Sequence, residues 1–283
     1  MELTRRFVFR GNACALAGQI FRPKTVVVDL DGASSLGVSG GRSQSQIKGR
    51  SFGDAITFAS AFTFAEGLFN DEKLARDVTN HKKRQVDLET TTKVTAEVRE
   101  LRIGQNPAFS AKRIRGTLVS RTTIGSGELS ISPERDTVIQ GVAIGGFGLE
   151  VTLNLSLFQK HDTRSKIVAA ADDTKFVRSY GNHLVTSATV DGQHPTGRPG
   201  LIARDGVIYS TIVKEINWEG KPFPGAKIDG HSVIVPELGT LFFGELLIGG
   251  AERRLTMVRF ELGSEFGGYV DSVDVGSNGG YFP

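Results

Sequence analysis

The sequence predicts an all-β protein, an antiparallel β-sandwich or distorted barrel with one flanking α-helix at about 71–84. Three observations carry that expectation. Apolar and polar residues alternate over many short stretches, the period of a half-buried strand. Asp-Gly pairs stand at 31–32, 191–192, 205–206 and 229–230. Three of them are flanked by strand-like sequence, and the dipeptide suits two-residue hairpin turns that need positive φ. Only one stretch has the charge pattern and spacing of a helix.

Taken in order, Phe7 and Phe9 alternate as a first strand would. The run Thr4-Arg5-Arg6-Phe7-Val8-Phe9-Arg10 also resembles a twin-arginine export motif, with Ala15-Leu16-Ala17 placed like a cleavage site. A signal peptide needs about 7 to 15 apolar residues between those parts, and the stretch from Arg10 to Ala15 does not supply them. A cytoplasmic location is therefore the expectation. Val26 to Leu30 is a β-branched, apolar run. Phe58, Phe62 and Phe64 sit on alternating positions of a strand, and with Phe52 they read as core.

The helix follows. Asn70 suits an N-cap, Asp71 and Glu72 fall in the first turn, and Lys82, Lys83 and Arg84 in the last. Those charges complement the helix dipole, and Leu74 and Val78 form its apolar stripe. From Thr92 to Ile103 the alternation runs through Val94, Ala96 and Val98, then shifts at Glu100-Leu101 as a β-bulge would shift it. Thr137 to Ile144, the turn at 145–148 and Leu149 to Phe158 read as one long hairpin. Leu201 to Arg204 and Val207 to Trp218 form two arms around Asp205-Gly206, with Ile208, Ile212, Ile216 and Trp218 on one face. Leu241 to Ile248 and Leu255 to Leu262 are strands on either side of Gly249-Gly250. This is an antiparallel meander and not a βαβ series. The expected organisation is a single large β domain over 1–283. A subdivision near 104–116 is the alternative, because Gly104-Gln105-Asn106-Pro107 is the strongest break in the chain.

Composition narrows the function classes. The chain has 283 residues, 39% of them hydrophobic, enough for a large core. Its one cysteine, Cys14, permits no intrachain disulfide and fits a reducing compartment. No run approaches the roughly 18 apolar residues of a membrane-spanning helix. The 34 basic and 31 acidic residues are interleaved, leaving a net charge of +3. The densest basic runs, Lys82-Lys83-Arg84 and Lys112-Arg113-Ile114-Arg115, are short enough to be solvated faces, so nucleic acid is not the expected partner.

Several motifs carry possible chemistry. Val26-Val27-Val28-Asp29-Leu30-Asp31-Gly32 resembles the first motif of haloacid-dehalogenase-like phosphatases. That resemblance would make Asp29 a nucleophile and Asp31 an acid/base beside Mg²⁺. The family wants Thr where this chain has Ala33, and alternating strands and helices. A strand ending in an Asp-Gly turn is the plainer reading. Gly37-Val38-Ser39-Gly40-Gly41 resembles the nucleophile elbow of α/β-hydrolases and the nucleophile loop of trypsin-like proteases, which would make Ser39 the nucleophile. All five histidines lie downstream, against the trypsin-like order, and the flanking sequence supplies neither the strand nor the helix of an elbow. The histidines show no metal-ligand spacing, and Gly145-Gly146-Phe147-Gly148 leads into a strand and not a helix, so no metal and no cofactor are expected.

The leading expectation is a non-catalytic binding or assembly protein of unknown ligand, with itself (a homo-oligomer) or another protein as partner. One alternative is a β-hairpin pore-forming protein that inserts hairpin 137–158; only that reading implies a membrane. The other is a hydrolase using Asp29 and Asp31 or Ser39. The candidate binding residues are Trp218, His231, Glu245 and Arg254, on neighbouring strands of the C-terminal meander.

Overall fold

The alternating segments form strands, and the strands form two antiparallel sheets. The structure is a computed structural model and describes residues 6–22, 24–70, 89–104, 108–123, 128–171, 208–249, 252–263 and 267–282. β1 (Arg6–Ile20) and β2 (Val26–Ser35) pair at one edge of the first sheet. A tight turn at Gly37–Gly40 carries the chain to β3 (Gly41–Phe52), the edge of the second sheet. β4 (Ile56–Phe69), β5 (Glu89–Ile103) and β6 (Phe109–Thr123) extend that sheet in sequence order. Short strands β7 (Ser130–Pro133), β8 (Val138–Gln140) and β9 (Val142–Ile144) line the far side of β6, and β10 (Phe147–Leu153) pairs with β9.

Two short helices come next, α1 (Leu155–Lys160) and α2 (Arg164–Ala171). β11 (Ile208–Thr211) then joins the first sheet, and β12 (Val213–Trp218) joins β10 in the second. β13 (Lys227–Asp229), β14 (Ser232–Val235), β15 (Gly239–Ile248), β16 (Glu252–Leu262) and β17 (Gly268–Phe282) complete the first sheet. Its order is β13-β14-β15-β16-β17-β1-β2, with β11 beside β15; the second sheet runs β12-β10-β9-β6-β5-β4-β3.

The sheets face each other as a sandwich. β1 lies over β4 and β5, and β17 over β5 and β6. The core between them holds Leu16, Val94, Ile114, Phe243 and Val275, all buried. Phe109 meets Phe260 edge-on with ring centroids 4.7 Å apart. Hydroxyls also pair across the core: Ser120 Oγ with Ser277 Oγ at 2.5 Å, and Ser34 Oγ with Thr63 Oγ1 at 2.8 Å. Each satisfies a buried polar group that would otherwise cost free energy.

The bulge at Glu100 is part of a larger feature. Glu100 takes φ 52, and the inward-facing residues change from Val94, Ala96 and Val98 to Leu101 and Ile103. Neighbouring strands change in step. The β5–β6 pairing passes from Arg99↔Arg113 to Leu101↔Ala111, and Ile114 is followed inward by Ala111 and Phe109. In β4, Ala61 gives way to Phe58 and Ile56. The first sheet has a matching line through Gly32, Ala15, Val273, Met257 and Gly244, with φ values of 63, 57 and 60 at Gly32, Val273 and Gly244. Gly32 and Gly244 take a backbone conformation that glycine adopts without steric cost, whereas Val273 is β-branched and pays for it. The flips let strands as long as 15 residues keep an apolar inner face on both halves.

Several expectations need correction. Asp31-Gly32 is not a turn: β2 runs through it to Ser35, with Gly32 at the kink. The Asp229-Gly230 expectation holds with a shift of one residue, since Asp229 pairs with Ser232 and Gly230-His231 form the tip. The arm from Val207 to Trp218 is two strands in different sheets, crossing over at Ile212. Of the phenylalanines read as core, Phe52 and Phe58 are buried, while Phe62 and Phe64 lie half-buried on the outer face, beyond the flip. In the 137–158 hairpin the second arm ends at Leu153; Leu155 and Leu157 belong to α1, where the adjacent Leu157 and Phe158 are both buried. The helix expected at 71–84, like the turns at 191–192 and 205–206, lies outside the described residues. Of the two described helices, α1 packs on β7; Ser130 Oγ donates to Asp162 Oδ2, between the helices, at 2.8 Å, and Ser165 Oγ of α2 donates to Glu128 Oε2, just before β7, at 2.6 Å. The break at Gly104 falls in the hairpin between β5 and β6.

Candidate binding faces

Strand alternation sends most charged residues of each sheet outward, so each outer face is a register of rows across neighbouring strands. On the first sheet, His231 at the tip of the β13–β14 hairpin and Glu245 on β15 come together. His231 Nε2 lies 3.6 Å from Glu245 Oε1, longer than a hydrogen bond. The arginine that bonds Glu245 is Arg259 and not Arg254. Arg259 Nε donates to Glu245 Oε2 at 2.6 Å and Nη2 donates to Oε1 at 2.8 Å, a bidentate fork. Its guanidinium lies 3.9 Å from the centroid of the Phe242 ring, and it also bonds Glu261. Burial alone would raise the Glu245 pKa; the Arg259 hydrogen bonds outweigh it and hold the carboxyl at about 2.

Arg254 belongs to a second cluster on the same face. Its Nε donates to Asp274 Oδ1 at 2.7 Å, and Nη2 lies 3.7 Å from Asp271 Oδ2. Cys14 pairs with Asp274 across β1 and β17. Burial first, and the Asp274 charge second, push its thiol up to about 11. Burial and the neighbouring Asp274 also raise the Asp271 pKa. Trp218 is not on this face. It ends β12 in the second sheet, half-buried and paired with Leu149.

One row of the first outer face is apolar at intervals. Ile234, Thr240, Glu261, Tyr269, Gln19 and Val27 are successive cross-strand partners from β14 to β2. Val27 is 57% exposed, Tyr269 54% and Ile234 44%, and Phe21 beyond the end of β1 is 47% exposed.

The second outer face is arginine-rich. Glu97 on β5 is 5% exposed and receives three guanidinium groups. Arg99 bonds Glu97 Oε1; Arg113 Nη2 and Arg115 Nη1 donate to Oε2 at 2.8 and 2.9 Å. Arg115 also donates from Nε to Asp136 Oδ2 at 2.8 Å. Burial would raise the Glu97 pKa, but the three hydrogen bonds bring it down to about 2. One carboxylate facing three guanidiniums leaves a local surplus of positive charge.

The residues with possible chemistry are dispersed. Asp29 is exposed on β2, Asp31 pairs with Leu16 in the backbone ladder, and Ser39 is exposed in the turn between the sheets. β2 is an antiparallel edge strand followed by a turn, not a strand followed by a helix, so neither hydrolase resemblance finds its expected setting. Among the described residues, no group of three or more His, Cys, Asp and Glu could hold a metal ion, and no helix is long and apolar enough to cross a membrane.

Residues 7–249 match the family model described as Domain of unknown function (DUF8256). The chain belongs to this family. The DUF8256 match runs from β1 to the end of β15, and β16 and β17, which lie beyond it, fill the first sheet between β15 and β1. Comparison with curated proteins and with solved structures gives no match.

The sequence reading missed Arg259, Phe242, Asp271 and Asp274 on the first face, and Glu97 with Arg99 on the second. It saw Arg113 and Arg115 only as part of a short basic run. The signal was present in the hairpin geometry: the pairing of β5 with β6 sets Glu97 opposite Arg115 and Arg99 opposite Arg113.

Proposed function

We propose that this chain is a non-catalytic binding or assembly protein that works through the outer faces of its sheets. The observation that carries the reading is the placement of exposed apolar side chains. Of the eight large hydrophobic residues exposed among the described residues, Val27, Tyr209, Ile228, Ile234 and Tyr269 lie on first-sheet strands, and Phe21 lies beside them. The remaining two, Val38 and Leu68, lie elsewhere. Leaving such groups in water costs free energy that a partner surface would recover. The Arg259–Glu245 fork fixes the polar part of the face and so reduces the ordering cost of docking.

The test is the solution mass of the full chain, measured by light scattering across a concentration series. A mass above one chain that grows or settles with concentration is the expected result. A mass of one chain at every concentration would refute self-assembly, and a screen of protein partners with a Tyr269→Ser variant as control would then decide the binding reading.

A further inference from the structure

The strands of the two sheets carry opposite net charge. Those of the second sheet bear eleven Lys and Arg against six Glu, none of the eleven is buried, and the surplus of five exceeds the +3 of the whole chain. The first-sheet strands bear eight acidic residues against six basic ones, and Arg253, one of the six, is turned inward and buried. Interleaving along the sequence hides this separation, and folding creates it.

We infer that copies of this chain stack face to face, the basic outer face of the second sheet of one copy docking on the acidic, partly apolar outer face of the first sheet of the next. The inference rests on the assembly reading and adds the partner and the orientation. Each copy presents both complementary surfaces, so the contact is heterologous and repeats along a stack. Arg99 and Arg113 hold partly exposed guanidiniums around the Glu97 carboxylate. Asp29, Glu261 and Asp271 offer acceptors around Tyr269 and Val27. Half-buried Phe62 and Phe64 give the basic face an apolar centre for those two side chains to meet. A face seven strands wide spans about 30 Å, room for the roughly 800 Å² per partner of a standard interface. A polyanion such as nucleic acid would use the basic face alone and leave the exposed apolar row of the first sheet uncovered.

Two variants and one salt series test this. Lys48→Glu/Lys112→Glu/Arg121→Glu reverses exposed positions on the basic face without touching the Glu97 cluster. Asp29→Lys/Asp229→Lys/Glu261→Lys reverses the acidic face. Circular dichroism establishes that each folds. In low salt the wild-type chain is expected to associate, each variant to run as a single chain, and an equimolar mixture of the two to regain association. The wild type, needing no substitution, should fall to a single chain at about 1 M salt, where the screening length is about 3 Å. Association of the wild type that survives both triple substitutions overturns the stacking but leaves assembly standing. A single chain in low salt overturns both. A wild type that runs as a single chain yet shifts on a DNA duplex probe overturns the stacking in favour of a nucleic-acid ligand.

Discussion

Glu97 and Glu245 are the same device used in opposite settings. Both are carboxylates on central strands, both are withdrawn from water, and in both arginine hydrogen bonds outweigh the burial penalty and hold the pKa at about 2. The difference lies in what surrounds them. Glu97 is the minority charge among three arginines, so its cluster leaves positive charge at the surface. Around Glu245 the arginine is the minority: Arg259 serves both Glu245 and Glu261. A carboxylate pKa therefore reports local pairing and not the sign of a face. The sign is set by what remains unpaired, and it is the remainder that a partner meets.

Removing the two carboxylates should separate these roles. Glu97→Gln leaves three guanidiniums around one neutral amide. Breaking a buried pair costs about 3–5 kcal/mol, and the exposure of Arg99 lowers the expectation here to about 2–3 kcal/mol in urea unfolding. Glu245→Gln should cost less, about 1–2 kcal/mol, because Arg259 keeps Glu261 and its place over Phe242. A larger loss at Glu245 than at Glu97 would contradict the comparison. Both carboxyls are depressed from 4.5 in the unfolded chain to about 2 in the fold. Their stabilisation is thus complete above pH 4.5 and lost as pH falls from 4.5 towards 2. The acid limb of a stability–pH curve should flatten in the double Gln variant.

The two sheets also differ in how they make their kinks. The second uses Glu100, exposed, at φ 52; the first uses Val273, fully buried, at φ 57. Left-handed backbone costs an L-residue roughly 1–2 kcal/mol, which glycine escapes in exchange for about 0.5–1 kcal/mol of chain entropy. Glu100→Gly is therefore expected to stabilise by about 0.5 kcal/mol. Val273→Gly gains the same relief but forfeits about 1.5–3 kcal/mol of buried side chain, so it should destabilise by about 1 kcal/mol or more. Destabilisation by Glu100→Gly in thermal unfolding would show that the kink does not strain the backbone there.

The kink at Glu100 is also where the sequence was most informative. The change of phase after Val98 was visible in one strand, because a bulge alters the period that marks the inner face. The matching line through Gly32, Val273 and Gly244 was not visible, since Val273 looks like any strand valine and Gly32 sat in an apparent Asp-Gly turn. The all-β class and most strands were legible, since local alternation dictates them. Sheet membership was not: nothing near Ile212 says that the chain changes sheet there. The candidate site was half legible for the same reason. His231 and Glu245 lie 3.6 Å apart, which their places on neighbouring strands allowed but did not dictate. Arg254 and Trp218 were assigned by nearness in sequence, whereas β15 meets β16 in a register that puts Phe242 opposite Arg259. The basic face was invisible because strand alternation, not charge clustering, assembles it.

Cys14 offers the smallest and most local measurement of the comparison, since its thiol lies on the acidic face and senses that sign directly. With the pKa near 11 and not 9, the thiolate fraction at pH 8 is about 100-fold below that of an unperturbed thiol, so reaction with a disulfide reagent should be slow by a comparable factor. Burial is the larger cause and the Asp274 charge the next. Asp274→Asn removes only the second, and it leaves in place Arg254, whose charge favours the thiolate. The expected result is an acceleration of a few fold, with the pH–rate curve moved to lower pH. Glu97→Gln, on the opposite face, should leave the rate unchanged. A rate in Asp274→Asn equal to the wild type would mean that burial alone sets the thiol's reactivity and that the acidic face exerts no field at β1.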